Sequence, residues 1–287
     1  GRKEERRVNK GGVLVDINEP EGNKKIEYFD DRWYKLSVLG ENQQKLIKEL
    51  HGIDASKPIY LPSSTTLLGL IIRPYLLSWY GDIGTDAAKY RSEKAKQLGS
   101  YIHEHARTLF EGGKLLAQDF KQEAWVQLYH IQQWFEDFKP DILFIEQTVY
   151  SLKNLYAGTL DLVFSLQGGK YNIGYKGKVE LPEGEYILDL KTGKGIDRLY
   201  FYQLASYKVA YEEITGRKII GALILNTQAN TKQGWKVIYR NQDEIAEDFE
   251  MFLSIAKVWK VENKDLTPKI FELPAEIQLF KKETEAI

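Results

Sequence analysis

The apolar pattern of this chain changes period after Pro140, and that change limits the folds open to it. Before it, Tyr90, Ala95, Leu98, Ile102, Ala106 and Leu109 recur at three- and four-residue spacing and mark a helix over 87–111, ended by Gly112-Gly113. Trp125, Leu128, Ile131 and Trp134 mark a second helix over 120–138. After Pro140, segments of strand length rich in Ile, Val, Leu, Tyr and Phe cover 142–150, 156–166, 184–191, 218–227 and 235–240. Helical patterns return over 198–215 and 243–261. The 287 residues therefore predict one α/β body of two lobes, helical first and sheet-forming second.

Further upstream, 42–50 reads as a helix stopped by His51-Gly52. The hydroxyls of Ser63, Ser64, Thr65 and Thr66 are placed to cap a short apolar helix that bends at Pro74 and continues to Tyr80. Residues 1–26 carry Arg2, Lys3, Arg6, Arg7, Lys10, Lys24 and Lys25 among glycines and read as a mobile or extended basic arm, solvated or in contact with a partner.

Charge and composition remove whole classes of function. With 40 Lys and Arg against 41 Asp and Glu, the chain has no global positive field, so any nucleic-acid contact must be local. The absence of cysteine excludes disulfides, thiolate zinc sites, iron–sulfur clusters and thiol nucleophiles, and leaves His, Asp and Glu for metals. No apolar run approaches the roughly 20 residues that span a bilayer, and the opening residues lack a signal peptide's apolar centre. These features predict a cytoplasmic protein with no membrane partner.

Side chains two apart on a strand share a face, so in Ile187-Leu188-Asp189-Leu190-Lys191 the Asp189 carboxylate and Lys191 ammonium point together while Leu188 and Leu190 face inward. Taken alone, such a tripeptide is most often a strand-end salt bridge. Asp161 is the single charge in Gly158-Thr159-Leu160-Asp161-Leu162-Val163-Phe164. If its strand pairs antiparallel with that of Asp189, the two carboxylates face one another, and their repulsion is relieved by a bound cation such as Mg²⁺. His103 offers an imidazole from the helical lobe, or is simply hydrogen-bonded in the packing between lobes; His105, two residues on, lies on another side of its helix. Gln203 and Tyr207, four apart, project from one helix face, either to orient phosphate or water or as ordinary packing.

In order along the chain, Gly99…His103, Glu146, Gly158-Thr159-Leu160-Asp161, Asp189-Leu190-Lys191 and Gln203…Tyr207 resemble the motifs of the PD-(D/E)XK nucleases, in particular their RecB-like exonuclease branch. Leu61-Pro62-Ser63-Ser64 with Arg73-Pro74-Tyr75-Leu76 is similar to the entry segment of phage-type members, so the likeness covers about residues 60–215. It implies a restriction-endonuclease-like fold, a mixed central sheet flanked by helices with an N-terminal helical lobe. The expected division is a basic arm over 1–26, the helical lobe with the His motif over 27–139, and the nuclease core with its C-terminal helix over 140–287.

The resemblance further implies that His103, Asp161, Asp189 and the Leu190 carbonyl hold Mg²⁺ or Mn²⁺, that Lys191 positions or activates water, and that Gln203 and Tyr207 steady the substrate. Glu146 resembles an auxiliary acid. The implied activity is metal-dependent hydrolysis of phosphodiester bonds from DNA ends in replication, recombination or repair, on single strands or duplex ends, with a recombination or replication protein as a further partner. A non-catalytic DNA-binding or scaffolding module on the same fold is the alternative. The chain departs from the pattern in two respects. The acids are 28 positions apart, and 171–184 reads as an inserted ribbon. Lacking cysteines, it fits a cluster-free exonuclease rather than the cluster-bearing types.

Overall fold

The computed structural model describes residues 24–28, 31–37, 39–72, 74–264 and 268. Of the expected basic arm only Lys24, Lys25 and Ile26 fall within these, and they open a strand; Arg73 falls outside.

A mixed five-stranded sheet forms the centre, in the order β10-β9-β8-β5-β4. Its strands are β4 (Asp141–Ser151), β5 (Tyr156–Leu166), β8 (Gly184–Lys191), β9 (Ile219–Asn226) and β10 (Lys236–Arg240). Only β8 and β9 run parallel, joined across helix α6 (Arg198–Thr215). Helix α6 starts where the Asp197 carboxylate accepts the Leu199 N–H, and stops at Gly216 in the left-handed conformation. The expected ribbon is present as a hairpin of β6 (Gly169–Asn172) and β7 (Lys178–Leu181).

Helices cover both faces of the sheet. Helix α6 and α7 (Gln242–Glu262) lie on one, where Tyr202, Tyr211, Phe252 and Trp259 pack against Leu160, Ile187 and Ile224. On the other lie α4 (Thr85–Phe110) and α5 (Gln122–Phe138), whose Ile102, Leu128, Ile131 and Trp134 meet Leu162, Phe164, Leu188 and Leu225. Each such side chain taken fully out of water contributes about 1.5–3 kcal/mol before entropy is counted.

The expected helical lobe needs one correction, because it also contains strands. β1 (Lys24–Tyr28), β2 (Asp31–Leu36) and β3 (Ile59–Pro62) form a three-stranded antiparallel sheet with α1 (Glu41–His51) beside it. The period-two signal fails in β2 because both of its faces are covered. Trp33 joins the α6–α7 core and the adjacent Tyr34 joins a third cluster with Ile47 and Leu61, so neither side of the strand is polar. Ser63 caps the short α2 (Ser64–Leu68) by accepting the Thr66 N–H, and α3 (Pro74–Ile83) follows. No described helix is long and apolar enough to cross a membrane.

Candidate active site

β5, β8 and the facing helix α4 bring Asp161, Asp189, Lys191 and His103 together. β5 and β8 pair antiparallel, but their ladder stops at Leu162 opposite Leu188, one step short of Asp161 and Asp189. The inward face of β5 also switches there: Leu160 packs with the α6 side and Leu162 with the α5 side. Across β5, Glu146 of β4 takes φ +50, a backbone region that costs a non-glycine residue energy. The break leaves the Leu190 N–H to be donated to Asp161 Oδ2 at 2.7 Å instead of to a ladder carbonyl.

His103 Nδ1 lies 3.5 Å from Asp161 Oδ1, and Lys191 Nζ lies 2.6 Å from Asp189 Oδ2. The second contact is close but misaligned, and Asp189 Oδ2 is buried without a hydrogen bond of normal geometry. Lys191 Nζ also sits 4.4 Å from the centre of the Tyr200 ring, a cation–π contact. The two acids respond differently to this setting. Burial pushes Asp161 up, but His103, Lys191 and the Leu190 N–H outweigh it and hold the carboxyl below its ordinary range. For Asp189 burial wins and the nearby Asp161 charge adds to it, so its pKa is raised despite Lys191. Burial would discharge Lys191 and His103, but Lys191 faces both carboxylates and His103 faces Asp161, and both stay raised.

Two glycines allow the approach. A Cβ on Gly99 would stand 3.1 Å from Thr192 Oγ1, so this turn of α4 lies close to the chain leaving β8. A Cβ on Gly158 would stand 2.1 Å from the Tyr207 ring, which only a glycine admits. Tyr207, itself buried, accepts the Gln203 Nε2–H at 2.8 Å, and its pKa is raised by burial and by the Tyr34 and Asp189 charges. The structure thus gathers His103, Asp161, Asp189, Lys191, Gln203 and Tyr207. Leu190 contributes its N–H to Asp161. Glu146 reaches the site indirectly, through Arg107 Nη1 at 2.9 Å, and a narrow cleft is lined by His103, Arg107, Glu146, Asp161 and Leu190. His105 turns away to Tyr101 and Phe120.

Three neighbours went unread in the sequence. Arg107 is one helical turn from His103, a spacing that could have marked it. Tyr200 follows Lys191 by nine residues with no motif to flag it. Tyr34, whose hydroxyl meets Thr159 Oγ1 at 2.9 Å, comes from the strand that had no period-two signal, and Thr159 shares the motif of Asp161.

The donors suit an oxygen-preferring divalent ion: two carboxylates and an imidazole. As they stand, no three His, Asp or Glu side chains among the described residues are gathered closely enough to hold a metal ion. The spacing is that of two internal pairs, His103 with Asp161 and Lys191 with Asp189, in which the Lys191 ammonium, and His103 when protonated, neutralise the acids.

No family model and no curated protein matches the chain. Among solved structures, the crystal structure of the "Putative exonuclease" from Eubacterium rectale is similar over 66% of this chain and 76% of that one, at 15% identity and a TM-score of 0.39. A likeness of that degree leaves the family of this chain unassigned.

Proposed function

We propose that the protein is a Mg²⁺- or Mn²⁺-dependent deoxyribonuclease that hydrolyses phosphodiester bonds from DNA ends. The observation that carries this reading is the convergence of Asp161, Asp189 and Lys191 with His103, from two adjoining strands and a facing helix, at a broken ladder where two carboxylates of like charge share one buried space. The Asp161 charge raises the cost of ionising Asp189, and a fold that holds the two acids there is suited to a cation.

Asp161, Asp189 and His103 would hold the ion, with the Leu190 carbonyl as a further oxygen donor. When bound, the divalent ion supplies positive charge to the phosphoryl oxygens and acidifies water. Lys191, kept protonated by the two carboxylates, presents a fixed cation toward the charge that develops on the phosphoryl group. The Tyr200 ring limits where Lys191 Nζ can go. Tyr207 is kept protonated by burial and is oriented by Gln203, so it can donate to a substrate oxygen. Entry of the ion requires His103 to give up its proton and Lys191 to release Asp189.

The exonuclease type, the intracellular setting and a role in replication, recombination or repair belong to the same proposal and rest on the ordered motifs. The internal ion pairing favours a second reading, a DNA-binding or scaffolding module that has no turnover. End-labelled linear DNA and covalently closed circular DNA, each incubated with Mg²⁺ or Mn²⁺, separate the two. Degradation of the linear form alone supports the exonuclease, and binding without degradation supports the module.

A further inference from the structure

A second polar groove adjoins the site on the α5 side of the sheet. One part is a cleft of about 450 Å³ between the first half of α5 and the loop after β9, and it continues around His130 toward the β6–β7 hairpin. That size falls in the roughly 300–1,000 Å³ range of ligand clefts. The hairpin is fixed in place: the Val237 N–H donates to Ile173 O at 2.9 Å, and Gly174, at φ +84, passes so close to Trp235 that a Cβ would stand 2.4 Å from its carbonyl oxygen.

The floor of the groove is tied to the candidate catalytic lysine. The Thr227 N–H donates to Lys191 O at 3.0 Å, Thr227 Oγ1–H donates to Gln127 Oε1 at 2.7 Å, and His130 Nδ1–H donates to Thr227 O at 2.7 Å. Gln127 is 2% exposed, and its side chain, held by Thr227, closes the floor of the groove.

The walls differ in character from the floor. Tyr129 and Tyr175 are about half exposed, at 50% and 43%, and both line the groove. Lys176 Nζ and Lys236 Nζ stand 5.5 and 5.8 Å from the centre of the Tyr175 ring, and Lys232 lines the groove beside it. Glu123 is the one carboxylate among the lining residues described. Exposed tyrosine rings accompanied by ammonium groups suit unpaired bases with their backbone phosphates. A duplex buries its base faces in its own stack and offers none to Tyr129 or Tyr175.

We propose that this groove binds a single-stranded segment of nucleic acid next to the cleaved position, with bases against Tyr129 and Tyr175 and phosphates along Lys176, Lys232 and Lys236. The assignment of the neighbouring site rests on the nuclease reading; the groove's chemistry stands apart from it.

The test is fluorescence anisotropy of a labelled dT20 oligonucleotide with the full chain in EDTA, where metal-dependent turnover is stopped. Tyr129→Ala/Tyr175→Ala weakens binding at least about tenfold, as expected for lost base stacking. Tyr129→Phe/Tyr175→Phe keeps the rings and binds as wild type. Lys232→Ala lowers the slope of log K against log salt by about 0.7. Tyr90→Ala, a ring 71% exposed on α4 and not among the groove's lining residues, leaves binding unchanged. Equal binding by the double alanine variant and wild type overturns the groove, as does a wild type that binds no dT20. If wild type binds through the groove yet cleaves no DNA with Mn²⁺, the nuclease reading fails and the groove stands; if it cleaves while the double alanine variant binds as well as wild type, the groove fails and the nuclease reading stands.

Discussion

The main-chain N–H of Leu190 is donated to the Asp161 carboxylate at 2.7 Å, so an acid of β5 takes the place of a ladder partner for β8. This bond fixes Asp161 against the Asp189-Leu190-Lys191 segment, and the candidate chemistry depends on that placement.

Lys191→Met keeps most of the stem's packing and removes the charge. Turnover on linear DNA falls on the order of 10²–10³-fold, the loss expected when one preorganised charge donor is removed from a reacting centre. Single-turnover cleavage measures it, and a decrease below about threefold contradicts the assigned role.

Gly158→Ala forces a methyl group into the Tyr207 ring. Overpacking of this kind costs about 1–3 kcal/mol, read as a drop of several degrees in Tm. Because the displaced ring carries the hydroxyl that Gln203 orients, cleavage falls further than stability alone explains. An unchanged Tm and rate count against the close packing of Tyr207.

Glu213 accepts from Ser151 Oγ, Leu152 N and Lys153 N at 2.7, 2.8 and 3.1 Å, and so closes the turn between β4 and β5 away from the site. Glu213→Ala leaves these donors without their acceptor and costs about 1–3 kcal/mol in urea unfolding, with cleavage per folded molecule retained. Loss of activity without loss of stability contradicts the structural role.

In metal-free protein the His103 midpoint lies above the ordinary value of about 6.5, because Asp161 outweighs burial. The pair's contribution to stability follows from both shifts. The raised His103 stabilises the fold below the unfolded value of about 6.5, and this is lost as pH rises through its folded pKa. The depressed Asp161 stabilises above about 3.9, and this is lost as pH falls through its folded pKa. The stability advantage of wild type over Asp161→Asn therefore peaks between about pH 4 and 6.5 in EDTA. NMR titration of His103 checks the first point, and a midpoint that does not fall in Asp161→Asn contradicts the pairing.

Much of this architecture was legible. β5, β8 and α6 have the bounds that their apolar residues and their Gly and Pro punctuation indicate, because each is a mainly apolar segment between such breaks. The hairpin of β6 and β7 was visible as an interruption between two regular strands. The small sheet was not, since Trp33 and Tyr34 are buried on opposite sides of one strand. Within the site, residues at motif spacing could be read from the chain, whereas Tyr34, Arg107 and Tyr200 arrive by tertiary packing. The end of the ladder at Leu162 and the left-handed Glu146 opposite Asp161 depend on twist and backbone strain, which residue types alone do not encode.

The central claim is that His103, Asp161 and Asp189 share one divalent ion. Anomalous diffraction from crystals grown with Mn²⁺ tests it most directly: the account predicts a single strong peak among those three side chains, with Lys191 released from Asp189. A map with no peak there, and with His103 still on Asp161 and Lys191 still on Asp189, contradicts it.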